Sequence, residues 1–439
     1  MRGHRTSPLL WVIALTFALF ASVPASAGGL PPEAVLQNWY RLVLELVRHT
    51  PTYSPPVASR SFAYLGITAY EATASGNGGM VTLAGQLNGF EPLPTREKDT
   101  VYDEAVVLNT AVNFAVTNFF THTGPTGQRA LGAMEKRMRE KVIAGVDPAV
   151  VERSETYGKT IAERILVWSE SDGGAKIENM GFPLEYKLNP EPGHWVPTSK
   201  IAQQQTPLLP EWGKVRTFAM PNGASCPLPP PPAYSEEEGS AFYKEALEVY
   251  DAVNLTDPDQ RAIARFWSDD PMLSPTPPGH WISIAMQLLD EDKAGIDRMV
   301  ETQALLGIAV ADGFIGCWDA KFVYDLIRPV TYIKKVIDPN WETLLITPPF
   351  PEYPSGHSTQ SGAAAVVLEK LFGTNRAFVD RTHEADGLVP RKFASIWAAA
   401  EEAGISRLYG GIHYRAAIEK GLEQGRCIGA YTNKLVTRR

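Results

Sequence analysis

Apolar positions recur with helical spacing over most of the chain. Leu36 to His49, Tyr102 to Phe120, Ala130 to Ile143, Val150 to Trp168 and Ala241 to Tyr250 each place them three and four residues apart, along one helical face. Asp147 before Pro148 predicts a capped start for the fourth of these, with proline in the first turn. Further on, Ala294 to Arg328 reads as one long helical stretch, with a break expected near Gly313 and Gly316. Ser358 to Leu371 and Ala394 to Ala403 read as helices rich in small residues, and Glu419 to Val436 closes the chain. Strand-like alternation is scarce and no repeat is visible. The pattern predicts an all-α protein whose N-terminal helices pack on a C-terminal helical bundle.

Two stretches depart from this pattern. At the start, Arg2, His4 and Arg5 precede an apolar run from Leu9 to Val23 and the small-residue triplet Ala25-Ser26-Ala27. This is the pattern of a secretory signal peptide cut after Ala27, so the protein is expected to be exported, to the periplasm or the outside of the cell. The run is short for a membrane span, and an uncleaved anchor is the alternative. Residues 183–235 are rich in proline and end in Pro227-Leu228-Pro229-Pro230-Pro231-Pro232. Proline breaks helices, so this is an irregular connection. Trp195, Trp212 and Phe218 within it favour burial, which predicts a loop wrapped on the body rather than a free linker. The expected division is a signal peptide at 1–27, an N-terminal helical region at 28–182, the proline-rich wrap at 183–235 and a C-terminal helical bundle at 236–439.

Composition adds a few constraints. At 439 residues and 44% apolar, the chain is long enough for a substantial core. The formal charge of −8 becomes −10 once Arg2 and Arg5 leave with the signal, which disfavours a nucleic-acid partner. It also makes any local cluster of cations informative. No later segment offers about twenty uninterrupted apolar residues, so stable membrane insertion is not expected after cleavage. Three cysteines, Cys226, Cys317 and Cys427, leave at least one thiol unpaired, and none has zinc-site spacing. Cys317 and Cys427 flank the segments described next and are a candidate pair.

Three segments carry chemistry. Lys321 and Arg328 stand seven apart, on one face if the helix continues to Pro329. Pro348-Pro349-Phe350-Pro351-Glu352-Tyr353-Pro354 then stiffens the approach to a helix beginning near Ser355-Gly356-His357. Free N–H groups and the positive dipole end at a helix N-terminus suit an anion, Gly356 permits close approach, and His357 can exchange a proton near neutral pH. Arg407 and His413 would diverge on an unbroken helix, but Gly410-Gly411 predicts a bend that brings them to one site. Singly, each segment is also explained by a solvated helix face or an ordinary cap. Together they supply three cations, neutral donors and two imidazoles, which match a multiply charged oxyanion.

The order and spacing Lys321-x6-Arg328-Pro329, Pro354-Ser355-Gly356-His357 and Ser406-Arg407-x5-His413 resemble the three-part signature of the type-2 phosphatidic acid phosphatase and vanadium-dependent haloperoxidase superfamily. The flanking Arg328-Pro329-Val330-Thr331-Tyr332-Ile333 and Gly410-Gly411-Ile412-His413-Tyr414-Arg415 look most like its bacterial haloperoxidase-like branch. Phe266-Trp267-Ser268-Asp269-Asp270-Pro271 and Gly279-His280-Trp281 are more weakly similar to it. The resemblance implies a helical bundle and two possible chemistries. In one, vanadate is the cofactor, with His413 as axial ligand. Lys321, Arg328, Ser355, Gly356 and Arg407 then hold its oxygens, His357 handles a proton, Lys321 polarises hydrogen peroxide, and halide is oxidised. In the other, His413 attacks a phosphate ester and His357 protonates the leaving group, with no cofactor. An inactive pocket kept as a binding or structural module is the third reading. One position departs from the pattern: many members carry an aspartate four residues after the last histidine, and here that residue is Ala417, so an acid from elsewhere or a backbone carbonyl must hold His413. Asp269 and Asp270 are read equally as partners of a pocket arginine or as part of a capped loop. His280 reads chiefly as a histidine packed by Trp281, and His383 to Asp386 as a polar loop.

Overall fold

A computed structural model describes residues 29–255 and 257–439; the expected signal peptide at 1–27 lies outside them. Among the described residues there are fourteen α-helices and one two-stranded ribbon, so the fold is all-α. The first half holds α1 (Pro32–Arg48), α2 (Pro55–Ala74), α3 (Glu104–Phe119), α4 (Pro125–Val142), α5 (Pro148–Glu170) and the single turn α6 (Gly174–Ile177). After the proline-rich stretch come α7 (Ala241–Asn254), α8 (Pro258–Phe266), α9 (Thr276–Glu291), α10 (Ile296–Tyr324) and α11 (Pro329–Val336). The last are α12 (Gly356–Phe372), α13 (Ile396–Tyr409) and α14 (Arg415–Thr432). Between α12 and α13, β1 (Phe378–Asp380) pairs antiparallel with β2 (Arg391–Phe393).

Local chemistry sets many of these starts. α1, α2, α4, α5, α8, α9 and α11 carry proline in the first turn, where its missing N–H has no helical partner to lose. Asp147 caps α5 as its sequence predicts, accepting from the N–H groups of Ala149 and Val150. Helix α2 left no periodic signal because it is buried on every side from Pro56 to Ala72, so no polar face alternates with an apolar one. It lies against α10, the 29-residue central helix. Helix α10 is long and apolar enough to cross a membrane, but its most apolar window is entirely enclosed by the rest of the fold. It also runs without the break expected near Gly313 and Gly316. A side chain at Gly316 would press on Ile428 of α14 at 2.9 Å, so that glycine admits a neighbour rather than ending the helix.

One apolar core extends from Val35 to Leu435, and a second cluster around Phe242, Tyr332, Trp341, Tyr353 and Tyr414 backs the loops described below. Trp195, Trp212 and Phe218 of the proline-rich stretch are buried. Asp312 of α10 holds that stretch by accepting the N–H groups of Phe218, Ala219 and Met220 at 2.6, 2.8 and 3.0 Å. Burial pushes the Asp312 carboxyl up to about 6 despite these donors. The stretch is also tied to α14 by a disulfide between Cys226 and Cys427. This corrects the expected pairing: Cys317, the candidate partner, is a free and buried thiol on α10.

Candidate functional site

Four segments converge at one end of α10. Lys321 lies in the last turn of that helix, which stops at Tyr324 because Asp325 adopts the left-handed conformation. The expected shared helical face of Lys321 and Arg328 is therefore absent; Arg328 is instead the extended N-cap of α11. Ser355 caps α12, its side chain accepting from the N–H of Ser358, and Gly356 and His357 form the first turn. Helix α13 ends at Tyr409, and Gly411 turns the chain at φ +81, a backbone conformation that suits glycine. The bend expected at Gly410-Gly411 is therefore present. It folds the chain back so that the N–H of Ile412 bonds the carbonyl of Arg407 at 3.1 Å, and His413 follows.

The residues that the sequence singles out are brought together. Lys321, Arg328, Ser355, Gly356, Arg407 and His413 are all buried, and His357 keeps 14% of its side chain accessible. Arg328 donates from Nε to the carbonyl of Phe350 at 2.9 Å and from Nη1 to that of Ile412 at 2.8 Å. Its Nη1 also lies 3.2 Å from Nε2 of His413. Arg407 donates from Nη1 to the carbonyl of Trp267 at 2.6 Å. Lys321 is placed differently from a free anion clamp. Its ammonium donates to the carbonyls of Pro351, at 2.8 Å, Glu352, at 3.0 Å, and Pro354. Its three hydrogens are thus directed at the loop, and contact with a pocket oxygen requires releasing a carbonyl.

The acid that orients His413 is Glu352. Its Oε1 lies 2.8 Å from Nδ1 of His413 and also accepts the N–H of Tyr414 at 2.9 Å. With Nδ1 as donor to this carboxyl, Nε2 keeps its lone pair on the side of Arg328. Sequence reasoning missed the role, although Glu352 stands within the proline-rich approach to α12. The only available signals were an acid among prolines and the vacancy that Ala417 left in the usual pattern. Ala417 itself is fully buried and its carbonyl accepts the N–H of Ser355 at 3.0 Å.

The electrostatics of the site follow from burying several cations together. Desolvation lowers Lys321 to about 7, Arg328 to about 10 and Arg407 to about 10. Burial, then the charges of Arg328, Lys321 and Arg407, hold His413 well below its ordinary range. Burial and Arg407 lower His357 to about 4. Both imidazoles are therefore neutral at neutral pH. Burial raises the Glu352 carboxyl to about 8, against the pull of Arg328 and Lys321. Nη2 of Arg328, Nε of Arg407 and Nε2 of His357 are buried without a hydrogen-bond partner. Orphaned arginine donors beside a helix N-terminus, with the Nε2 lone pair of His413, fit a compact oxyanion such as vanadate or phosphate.

Comparison with known proteins agrees with this geometry. A family model described as the second helical-bundle domain of VCPO matches residues 301–439, which contain all the pocket residues. Vanadium chloroperoxidase from Curvularia inaequalis is 25% identical over 341 residues, or 59% of this chain, and the match spans 56% of that protein. A crystal structure of a bacterial vanadium-dependent iodoperoxidase superposes with a TM-score of 0.85 at 38% identity, covering 93% of this chain and 97% of that one. A holo-type bacterial vanadium-dependent chloroperoxidase shares the fold, with a TM-score of 0.69 at 16% identity over 89% of this chain and 94% of that one. Likeness along nearly the whole length, together with the signature residues gathered at one site, places this chain in the vanadium-dependent haloperoxidase family.

Proposed function

We propose that this chain is a haloperoxidase that binds vanadate at His413 and oxidises halide with hydrogen peroxide, consuming one proton and giving hypohalous acid and water. The observation that carries the reading is the His413–Glu352 contact of 2.8 Å, which leaves a neutral imidazole with its Nε2 lone pair in a field of buried cations. Arg328, Arg407, Ser355 and the N–H groups at Gly356 hold the oxygens, and Lys321 adds positive potential while shaping the loop. Bound vanadate supplies a Lewis acid that activates the peroxide toward halide. His357, neutral because burial and Arg407 disfavour its charged form, accepts a proton from incoming peroxide. Burial of the donors keeps water from competing for them. Export through the sequence at 1–27 is part of the same proposal and rests on that sequence alone.

The Glu352 contact also favours a second reading. Phosphoryl transfer through His413 needs an oriented imidazole, and Glu352 supplies the orientation that Ala417 does not. A paired assay separates the two. Purified apo-protein is given orthovanadate, then assayed for peroxide-dependent oxidation of iodide, bromide and chloride and for hydrolysis of a generic phosphate ester. Vanadate-dependent halide oxidation is the expected result. Ester hydrolysis that vanadate inhibits, without halide oxidation, overturns it in favour of phosphatase chemistry.

A further inference from the structure

Behind His357 lies a second group of buried titratable side chains: Asp269, His280, Asp380 and His383. Nδ1 of His280 is 3.0 and 3.1 Å from the two oxygens of Asp269, and its Nε2 is 2.8 Å from Oδ2 of Asp380. A carboxylate only accepts hydrogen bonds, so each ring nitrogen carries a hydrogen and His280 is an imidazolium. The Trp267 ring stacks on it at 4.4 Å between centroids and 20° between planes, a further contact suited to a cation. Ligand-type atoms of Asp269, His280 and His383 lie within 4.8 Å of one another, a spacing compatible with a metal ion. His280 has no lone pair left to give one, so the position is held by protons.

Asp269 faces the pocket through the same carboxylate. Its Oδ2 is 3.6 Å from Nε2 of His357, and its Oδ1 is 3.4 Å from Nε2 of His383. The first spacing is too long for a hydrogen bond and acts through charge and orientation. Asp380 is fixed in turn by the N–H of Thr382 at 2.9 Å. The chain Asp380–His280–Asp269 thus ends facing the buried Nε2 of His357. An anion at Nε2 favours the tautomer with its hydrogen there and leaves Nδ1 as the acceptor.

We propose that Asp269, held as an anion by the His280 imidazolium and Asp380, is a positioning residue that fixes the tautomer and ring orientation of His357. Its kinetic consequence rests on the haloperoxidase reading; the tautomer does not. The test uses full-length Asp269→Asn and Asp380→Asn. Asparagine accepts the left-handed backbone of Asp269 (φ +49) nearly as well as aspartate does. In apo-protein labelled with ¹⁵N-histidine, wild type is expected to show His280 with both nitrogens protonated and His357 protonated on Nε2. Asp269→Asn should shift His357 toward the other tautomer. In vanadate-loaded protein, kcat for halide oxidation should fall about 10- to 100-fold, with vanadate affinity and the KM for peroxide changed less than about threefold. Asp380→Asn, farther from the pocket, should move the same quantities in the same direction by less, and it serves if Asp269→Asn does not fold. An unchanged His357 tautomer in the folded variants overturns the proposal, whatever wild-type activity is found. So does a neutral His280, or stoichiometric zinc or iron in the purified wild type by elemental analysis. Absence of wild-type halide oxidation overturns the haloperoxidase reading alone.

Discussion

Nδ1 of His413 meets Oε1 of Glu352 at 2.8 Å across 61 residues of chain. The contact puts an acid where Ala417 cannot, and brings it from the approach to α12, a loop that lies beside Ala417 and donates the Ser355 N–H to its carbonyl. Removing it should free the imidazole to rotate. Glu352→Ala is expected to weaken vanadate binding and halide oxidation by about 10- to 100-fold. Glu352→Gln, whose amide oxygen can still accept from Nδ1, should lose less. Equilibrium vanadate binding to the apo-variants, beside their activity, checks this, and equal affinity in wild type and both variants contradicts it.

The buried cations of the pocket are destabilising until an anion joins them. Vanadate and phosphate should therefore raise the thermal midpoint of the apo-protein in a concentration-dependent way. At about 100 times the dissociation constant the gain is about 2.7 kcal/mol. Arg407→Ala should abolish most of that gain. Scanning calorimetry against anion concentration measures it, and chloride at equal ionic strength is the control.

His280 gives a pH signature to stability. Asp269 and Asp380 raise it to about 10, although burial alone opposes the charge. A folded-state value above the unfolded one means the contribution is complete below about 6.5 and is lost as pH rises through about 10. The denaturant midpoint of wild type should drop between pH 7 and pH 10 by more than that of His280→Gln. Parallel losses in the two proteins refute the ion chain as a source of stability.

The disulfide from Cys226 to Cys427 closes 201 residues. Constraining so long a loop in the unfolded chain should be worth about 2–5 kcal/mol, so Cys226→Ser lowers unfolding free energy by that order. Thiol titration gives an independent check. The native protein should offer no rapidly reactive thiol, because Cys317 is buried and its thiol is pushed up by burial, and the denatured protein should offer one.

Much of this was legible in the sequence, for identifiable reasons. Helices with one wet face announced themselves by period, as α1 and α5 did. The all-buried α2 carried no period, and the glycines of α10 read as breaks because close packing and chain breaking use the same residue. The residues that the structure gathers around His413 could be singled out because their local spacing within each short segment is set by turns and caps. Glu352 was not, because its partner is 61 residues away and only tertiary structure brings them together. The three-histidine surroundings of Asp269 were hidden for the same reason: Asp269, His280, His357 and His383 lie on separate elements.

Lys321 also gains meaning beyond its charge. The carbonyls it gathers belong to Pro351, Glu352 and Pro354, and the Glu352 side chain reaches on to His413. One short run of backbone is therefore gauge for both the ammonium from α10 and the imidazole from the loop before α14. A displacement at the end of α10 is transmitted to the His413 ring through this loop, so a substitution deep in that helix can turn the imidazole with every pocket side chain intact.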